Sequence, residues 1–191
     1  MPFLDIVHNG RKEQARMVFL GISKGKHAKK NSQYKHTFLT LVGIIVVLAV
    51  LLLNVFSQIL MVVHYYGDSM APALQDRQIL VLHQTDKLER GDIAAFYYNN
   101  KVLVRRVIAT GGSTLELDTN GHLLLDGHPV EEPYVQEPAL GQCNISFPYT
   151  VPHQEFFVMG DNRPIAMDSR LKEIGTVPEN RMLGKVIFKL G

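Results

Sequence analysis

At 191 residues the chain has room for about one ordinary domain, of roughly 125 residues, beside a membrane segment and a tail. A single cysteine, Cys143, excludes an intrachain disulfide; no Cys/His group has metal-ligand spacing and no Gly-rich phosphate loop occurs, so no metal or cofactor is implied. The net charge of +2 conceals a split: residues 1–37 hold eight Lys/Arg against Asp5 and Glu13, whereas residues 64–191 hold twelve against sixteen Asp/Glu.

The basic segment 1–37 precedes an uncharged run of 26 residues, Phe38 to Val63. The positive-inside rule places such a tail in the cytoplasm and the chain beyond the span outside. The run exceeds the apolar core of a cleavable signal, about 7–15 residues, and no small-x-small site comes after it. Residues 38–63 therefore read as a retained transmembrane anchor, residues 1–37 as a cytoplasmic tail, and residues 64–191 as an extracytoplasmic domain. The tail's natural partner is anionic membrane lipid and not nucleic acid, because it abuts a span. Leu4 to Val7 and Met17 to Ile22 suggest short amphipathic helices at the inner face.

Past the span, Gly67-Asp68-Ser69-Met70-Ala71-Pro72 forms a turn signal that carries a serine. Strand patterns then dominate. Ile79–Leu82 is an apolar run. Asp92–Tyr98, Asn99-Asn100 and Lys101–Ile108 read as a hairpin. Thr114–Leu117 and His122–Leu125 flank Asn120-Gly121, and Asp126-Gly127 leads into His128-Pro129-Val130. Glu155–Met159 and Lys185–Phe188 complete an antiparallel all-β domain on a single-pass anchor.

Four further blocks come after Ser69: Arg90-Gly91-Asp92-Ile93, Arg105-Arg106-Val107-Ile108, Glu131-Glu132-Pro133-Tyr134, and Gly160-Asp161-Asn162-Arg163 with Asp168-Ser169-Arg170. In this order, behind an N-terminal anchor, the chain resembles the bacterial type I signal peptidases over about residues 38–191. The resemblance implies two antiparallel sheets and removal of signal peptides from exported preproteins at Ala-x-Ala sites. It implies Ser69 as nucleophile, with its own N–H as an oxyanion donor. Met70, Leu74, Leu103 and Val104 fall where the family lines its substrate pockets. Asp161, Arg163, Asp168 and Arg170 match residues that brace the site. The signal peptide is implied to bind extended, against a sheet edge.

Two departures bear on catalysis. The family places its general-base lysine where this chain has Arg105, and a guanidinium stays protonated and has no lone pair to offer a hydroxyl. The serine that orients that lysine is replaced by Ala166. Two functions stay open: a membrane-bound serine endopeptidase, and a catalytically impaired homologue that serves as a binding module or assembly chaperone for exported or surface proteins. Lys101 and His64 are weaker candidates for a substitute base.

Overall fold

The computed structural model describes residues 34–57 and 59–191. The amphipathic segments anticipated in the basic tail lie outside the described residues. One helix, α1 (Tyr34–Ser57), is long and apolar enough to cross a membrane, and none of its apolar window is buried within the protein. A helix that is apolar all round needs an apolar surrounding.

The uncharged run does not continue as helix to Val63. Leu60–His64 is instead strand β1, paired antiparallel with β2 (Ile79–His83) from Leu60 opposite His83 to His64 opposite Ile79. Residues 60–63 (Leu, Met, Val, Val) suit strand as well as span, and pairing settles the contest. Met61 and Val63 pack against the same cluster as Leu80 and Leu82, while Val62 points outward.

Nine further strands complete the chain: β3 (Ile93–Tyr98), β4 (Lys101–Thr110), β5 (Thr114–Leu117), β6 (Leu123–Leu125), β7 (His128–Pro129), β8 (Tyr149–Thr150), β9 (Glu155–Met159), β10 (Val177–Pro178) and β11 (Met182–Leu190). They form two antiparallel sheets, as anticipated. The larger has the order β1-β2-β11-β3-β4-β9-β10 and the smaller β7-β6-β5-β8. The short strands β8 and β10, like β1, carry no sequence alternation long enough to mark them.

Turn chemistry sets the register. Asn99 and Asn100, at φ 45° and 58°, close the β3–β4 hairpin, in which Tyr98 faces Lys101 and Ala94 faces Arg105. Paired positive φ values are the turn geometry whose twist matches two strands. This register puts Ala95 and Val104 opposite each other, inside a cluster with Tyr65, Met70, Leu74, Leu80 and Leu82. A second cluster, including Ile108, Leu115, Phe157 and Met159, joins the smaller sheet to β4 and β9.

β11 pairs with both β2 and β3, and its register against β3 shifts between Met182 and Gly184. Gly184 sits at φ +139°, and a Cβ there would collide with the His83 carbonyl oxygen. Gly184→Ala is therefore expected to destabilise the domain by about 1–3 kcal/mol, the scale of a strained backbone position. Thermal unfolding of the full chain in detergent checks this; an unchanged midpoint would contradict it.

Candidate active site

The segment after β1 turns sharply. The Tyr65 N–H still donates to the Gln78 carbonyl at 2.8 Å, extending the β1–β2 pairing by one residue. Gly67, at φ +97°, then donates to Asp76 Oδ1 at 2.7 Å. Ala71 N–H bonds the Asp68 carbonyl at 3.0 Å and Leu74 N–H the Met70 carbonyl at 2.9 Å, so Ser69 sits at the start of a compact hydrogen-bonded turn. Met70 and Leu74 anchor that turn from below, fully buried.

Ser69 Oγ contacts two side chains. Arg105 Nη1 donates to it at 2.9 Å, and the Tyr65 hydroxyl lies 3.2 Å away. The Tyr65 hydroxyl also accepts the Met70 N–H at 3.0 Å. Among the described residues, nothing accepts a hydrogen bond from the Ser69 N–H.

Arg105 is 5 % exposed, and among the described residues no carboxylate is hydrogen-bonded to it. Its remaining bonds go to carbonyls: Nε and Nη2 to Met167 at 3.0 and 2.8 Å, and Nη1 to Val104 at 2.6 Å. Burial lowers its pKa from the ordinary guanidinium value, and the Asp168 charge opposes that fall. A guanidinium starts so high that it remains a cation and a donor.

The loop after β9 forms the wall behind Ser69. The Ser69 carbonyl accepts the Asn162 N–H at 3.1 Å, and Asn162 Nδ2 donates to the Asp68 carbonyl at 3.1 Å. Gly160 lets this wall come close: a Cβ there would lie 2.5 Å from the Ser69 carbonyl oxygen and would collide with the Ala166 Cβ. Three buried ion pairs hold the loop. Arg106 grips Asp161 through Nε (2.8 Å) and Nη2 (2.5 Å) and lies over the Tyr134 ring at 4.0 Å. Arg163 forks onto Glu132 at 2.8 and 2.6 Å. Arg170 forks onto Asp168 at 2.8 Å for both bonds, and Asp168 also accepts the Gly160 N–H at 2.9 Å. Paired forks of this kind fix orientation as well as distance. Asp161, Arg163, Asp168 and Arg170 are each at most 1 % exposed, and Ala166 is buried among them.

A groove of about 540 Å³ opens in front of Ser69, lined also by Val63 to Tyr66 and by Lys101 to Arg105. β9 pairs with β4 only from Arg106 to Thr110. Lys101 to Arg105 therefore present an unpaired strand edge on that side.

The residues singled out in the sequence are divided by this geometry. Ser69, Leu103, Val104 and Arg105 line the groove. Met70 and Leu74, expected as pocket lining, lie in the core beneath, at 0 % and 1 % exposure, because the turn after Ser69 points them inward. Lys101 and His64 line the groove too, but neither hydrogen-bonds Ser69 Oγ. Tyr65, Arg106, Glu132 and Asn162 join the site without being marked for it by the sequence patterns. Arg106, Glu132 and Asn162 lie inside blocks that carry the family resemblance; Tyr65 has no signal except its position four residues before Ser69.

A family model described as signal peptidase, peptidase S26, matches residues 36–190. The chain belongs to this signal peptidase family. It is 35 % identical over 116 residues to signal peptidase I S of Bacillus subtilis, covering 54 % of this chain and 62 % of that protein. Signal peptidase I of Leptolyngbya laminosa is 32 % identical over 137 residues, 64 % of each chain. Signal peptidase I of Bacillus licheniformis is 31 % identical over 173 residues, 84 % of this chain and 92 % of that one. The chain thus matches just under two thirds of the length of the first two relatives. A crystal structure of signal peptidase I from Enterococcus faecalis aligns with 52 % of this chain and 97 % of that one, at 29 % identity and a TM-score of 0.43.

Within this member of the signal peptidase family, the Glu132–Arg163 pair is the clearest test of the braced loop. Glu132→Ala strands a wholly buried guanidinium, so it is expected to cost about 3–5 kcal/mol in urea unfolding. Adding Arg163→Met should recover part of that loss. A single-variant loss below about 1 kcal/mol would mean that the pair is solvated, as exposed pairs are.

Proposed function

We propose that this chain is a membrane-anchored signal peptidase I-type protein. It takes the signal peptide of an exported preprotein into the groove beside Ser69 and cleaves it slowly. The observation that carries this reading is the unpaired edge of β4 at Lys101 to Arg105 running along the groove to the serine. An extended peptide can add to such an edge through main-chain hydrogen bonds, with Leu103 and Val104 beneath small side chains of an Ala-x-Ala site. The charge split around α1 supports a cytoplasmic N-terminus and an extracytoplasmic domain.

Chemically, Ser69 Oγ attacks the scissile carbonyl carbon and the Ser69 N–H faces the developing oxyanion. Arg105 donates to Oγ and stabilises negative charge on it, but does not take its proton. Asp161, Arg163, Asp168 and Arg170 brace the wall that holds the Ser69 carbonyl through Asn162. Slow turnover is the consequence of the missing lysine, since general-base catalysis contributes roughly 10²–10⁴-fold. With turnover this slow, the groove also suits a second use, holding exported or surface proteins during assembly.

The test uses the full chain in detergent with a preprotein bearing an Ala-x-Ala site. The unmodified chain should bind it and cleave slowly, and Ser69→Ala should bind without cleaving. Arg105→Lys combined with Ala166→Ser should raise the rate by about 10²-fold or more, the contribution of a general base. Its rate should increase with pH, because burial at this position disfavours a cation, so the amine loses its proton more readily than in water. Fast, Ser69-dependent cleavage by the unmodified chain would overturn the slow-turnover reading. Failure to bind any such preprotein would overturn the function.

A further inference from the structure

We propose that the groove of this chain is a receptor for the C-terminal carboxylate of a peptide, which Arg105 and Ser69 hold in the place a scissile carbonyl takes before cleavage. The occupant is a peptide that ends as a free acid after an Ala-x-Ala sequence, the N-terminal product of the reaction read above. The proposal rests on that reading of the groove, and it names the ligand that an arginine in the lysine's place selects.

Charge carries it. Arg105 is buried yet lines the groove, and it bonds a hydroxyl and carbonyls with no carboxylate among its partners in the described residues. The carboxylate whose charge acts on it, Asp168, is already forked by Arg170 at 2.8 Å for both bonds. Two cations thus share one carboxylate, and a positive charge is left over beside the serine. Lys101 and His64 also line the groove, and among the described residues no Asp or Glu does. Asp68, in the serine turn, is exposed and outside that lining. A buried cation without a counter-ion is costly, and a ligand that brings one offsets the cost.

Two donors are unengaged at the same place. Arg105 Nη1 gives both its hydrogens, to Ser69 Oγ and the Val104 carbonyl, but Nη2 gives only one, to the Met167 carbonyl. Its second N–H has no acceptor among the described residues, and neither has the Ser69 N–H. Both residues line the groove. A carboxylate brings two oxygens and a full charge, and guanidinium–carboxylate bonds are roughly twice as strong as neutral ones. The carbonyl of an uncleaved peptide offers the same donors a dipole alone. The site therefore favours the acid over the amide.

The strand edge supports a terminus there as well. Lys101 to Arg105 are open to an added strand, but from Arg106, opposite Met159, β9 occupies that edge of β4. A peptide extended along the open edge must stop or turn away at Arg105. A chain that ends in a carboxylate stops there without a turn, and capture of a C-terminal carboxylate is a known mode of peptide recognition. The consequence is retention. Cleavage stays slow for want of a base, and the acid it releases stays in the groove and competes with the next preprotein.

The experiment measures fluorescence anisotropy of labelled peptides on the full chain in detergent. Three peptides end at Ala-x-Ala with no residue beyond the cleavage site: a free acid, its C-terminal amide, and that amide with an Asp placed upstream to restore the net charge. The free acid should bind roughly 30-fold or more tightly than either amide, the scale of one partner lost from a buried charge pair. It should also inhibit preprotein cleavage competitively, with the same preference over the amides. Arg105→Gln should erase the preference by weakening the acid alone, and Lys101→Gln should keep it. Equal binding of acid and amide by the unmodified chain overturns the proposal and leaves the groove reading standing, and that comparison needs no variant to fold. An Asp-bearing amide that matches the acid, or a preference that Lys101→Gln erases, assigns the effect to charge at large and overturns it too. If the preprotein binds and none of the three peptides does, the proposal falls alone; if the preprotein also fails to bind, the functional reading falls with it.

Discussion

The hydrogen bonds of the Arg105 guanidinium join three segments that are remote in sequence: the turn carrying Ser69, strand β4, and the loop at Met167. A buried cation without a hydrogen-bonded carboxylate is costly, and four of the five Arg105 N–H groups offset that cost by donating, three to the Met167 and Val104 carbonyls and one to the Ser69 hydroxyl. The rest of the site depends on that arrangement. If the guanidinium leaves, the Met167 and Val104 carbonyls and the serine hydroxyl all lose a buried donor. Arg105 is thus a structural centre as well as a hydrogen-bond donor to Ser69 Oγ. A residue can occupy a base's place in the fold while its chemistry is that of a donor.

Around this centre the protein has placed charge where a core would usually be apolar. Arg163 and Arg170 are among the largest fully buried side chains, and no buried side-chain nitrogen or oxygen among the described residues lacks a partner. Buried pairs of this kind add little net stability compared with apolar packing, but they are expensive to break singly and so hold one geometry. On the proposed reading that is their value here. The wall from Gly160 to Arg170 keeps the Ser69 carbonyl bonded to Asn162, with Ser69 lining the groove. The free edge of β4 then sets a peptide's direction past them. Rigidity behind and an open edge in front are what cleavage or retention of an extended peptide both require.

Much of this was legible in the sequence. The β3–β4 hairpin followed from two asparagines between apolar runs, and the Gly160-to-Arg170 block marked Asp161, Arg163, Asp168 and Arg170 as candidate bracing residues, but not Arg106 and Glu132 as the partners of Asp161 and Arg163. The helix boundary was not, because Leu60 to Val63 are as apolar as a span and only pairing with β2 makes them strand. Nor was the placement of Met70 and Leu74, which a pattern puts near Ser69 but a tight turn directs into the core. Tyr65 was invisible for a related reason. Sequence spacing does not show that a chain leaving β1 doubles back within four residues to bring two hydroxyls together. Arg105 was readable as a departure from the family, yet its bonds to Met167 are long-range and appear only in the fold.

If the group beside Ser69 stays a cation and donates, the proton of the serine has to go elsewhere. Nitrogen-15 NMR of the Arg105 guanidinium in the full chain in detergent, assigned by its loss in Arg105→Lys, measures this directly between about pH 6 and 10. The expected result is a guanidinium that stays protonated throughout, with its Nε–H protected from exchange by the Met167 carbonyl. Deprotonation of Arg105 within that range would contradict it, and would return Arg105 to the role of base.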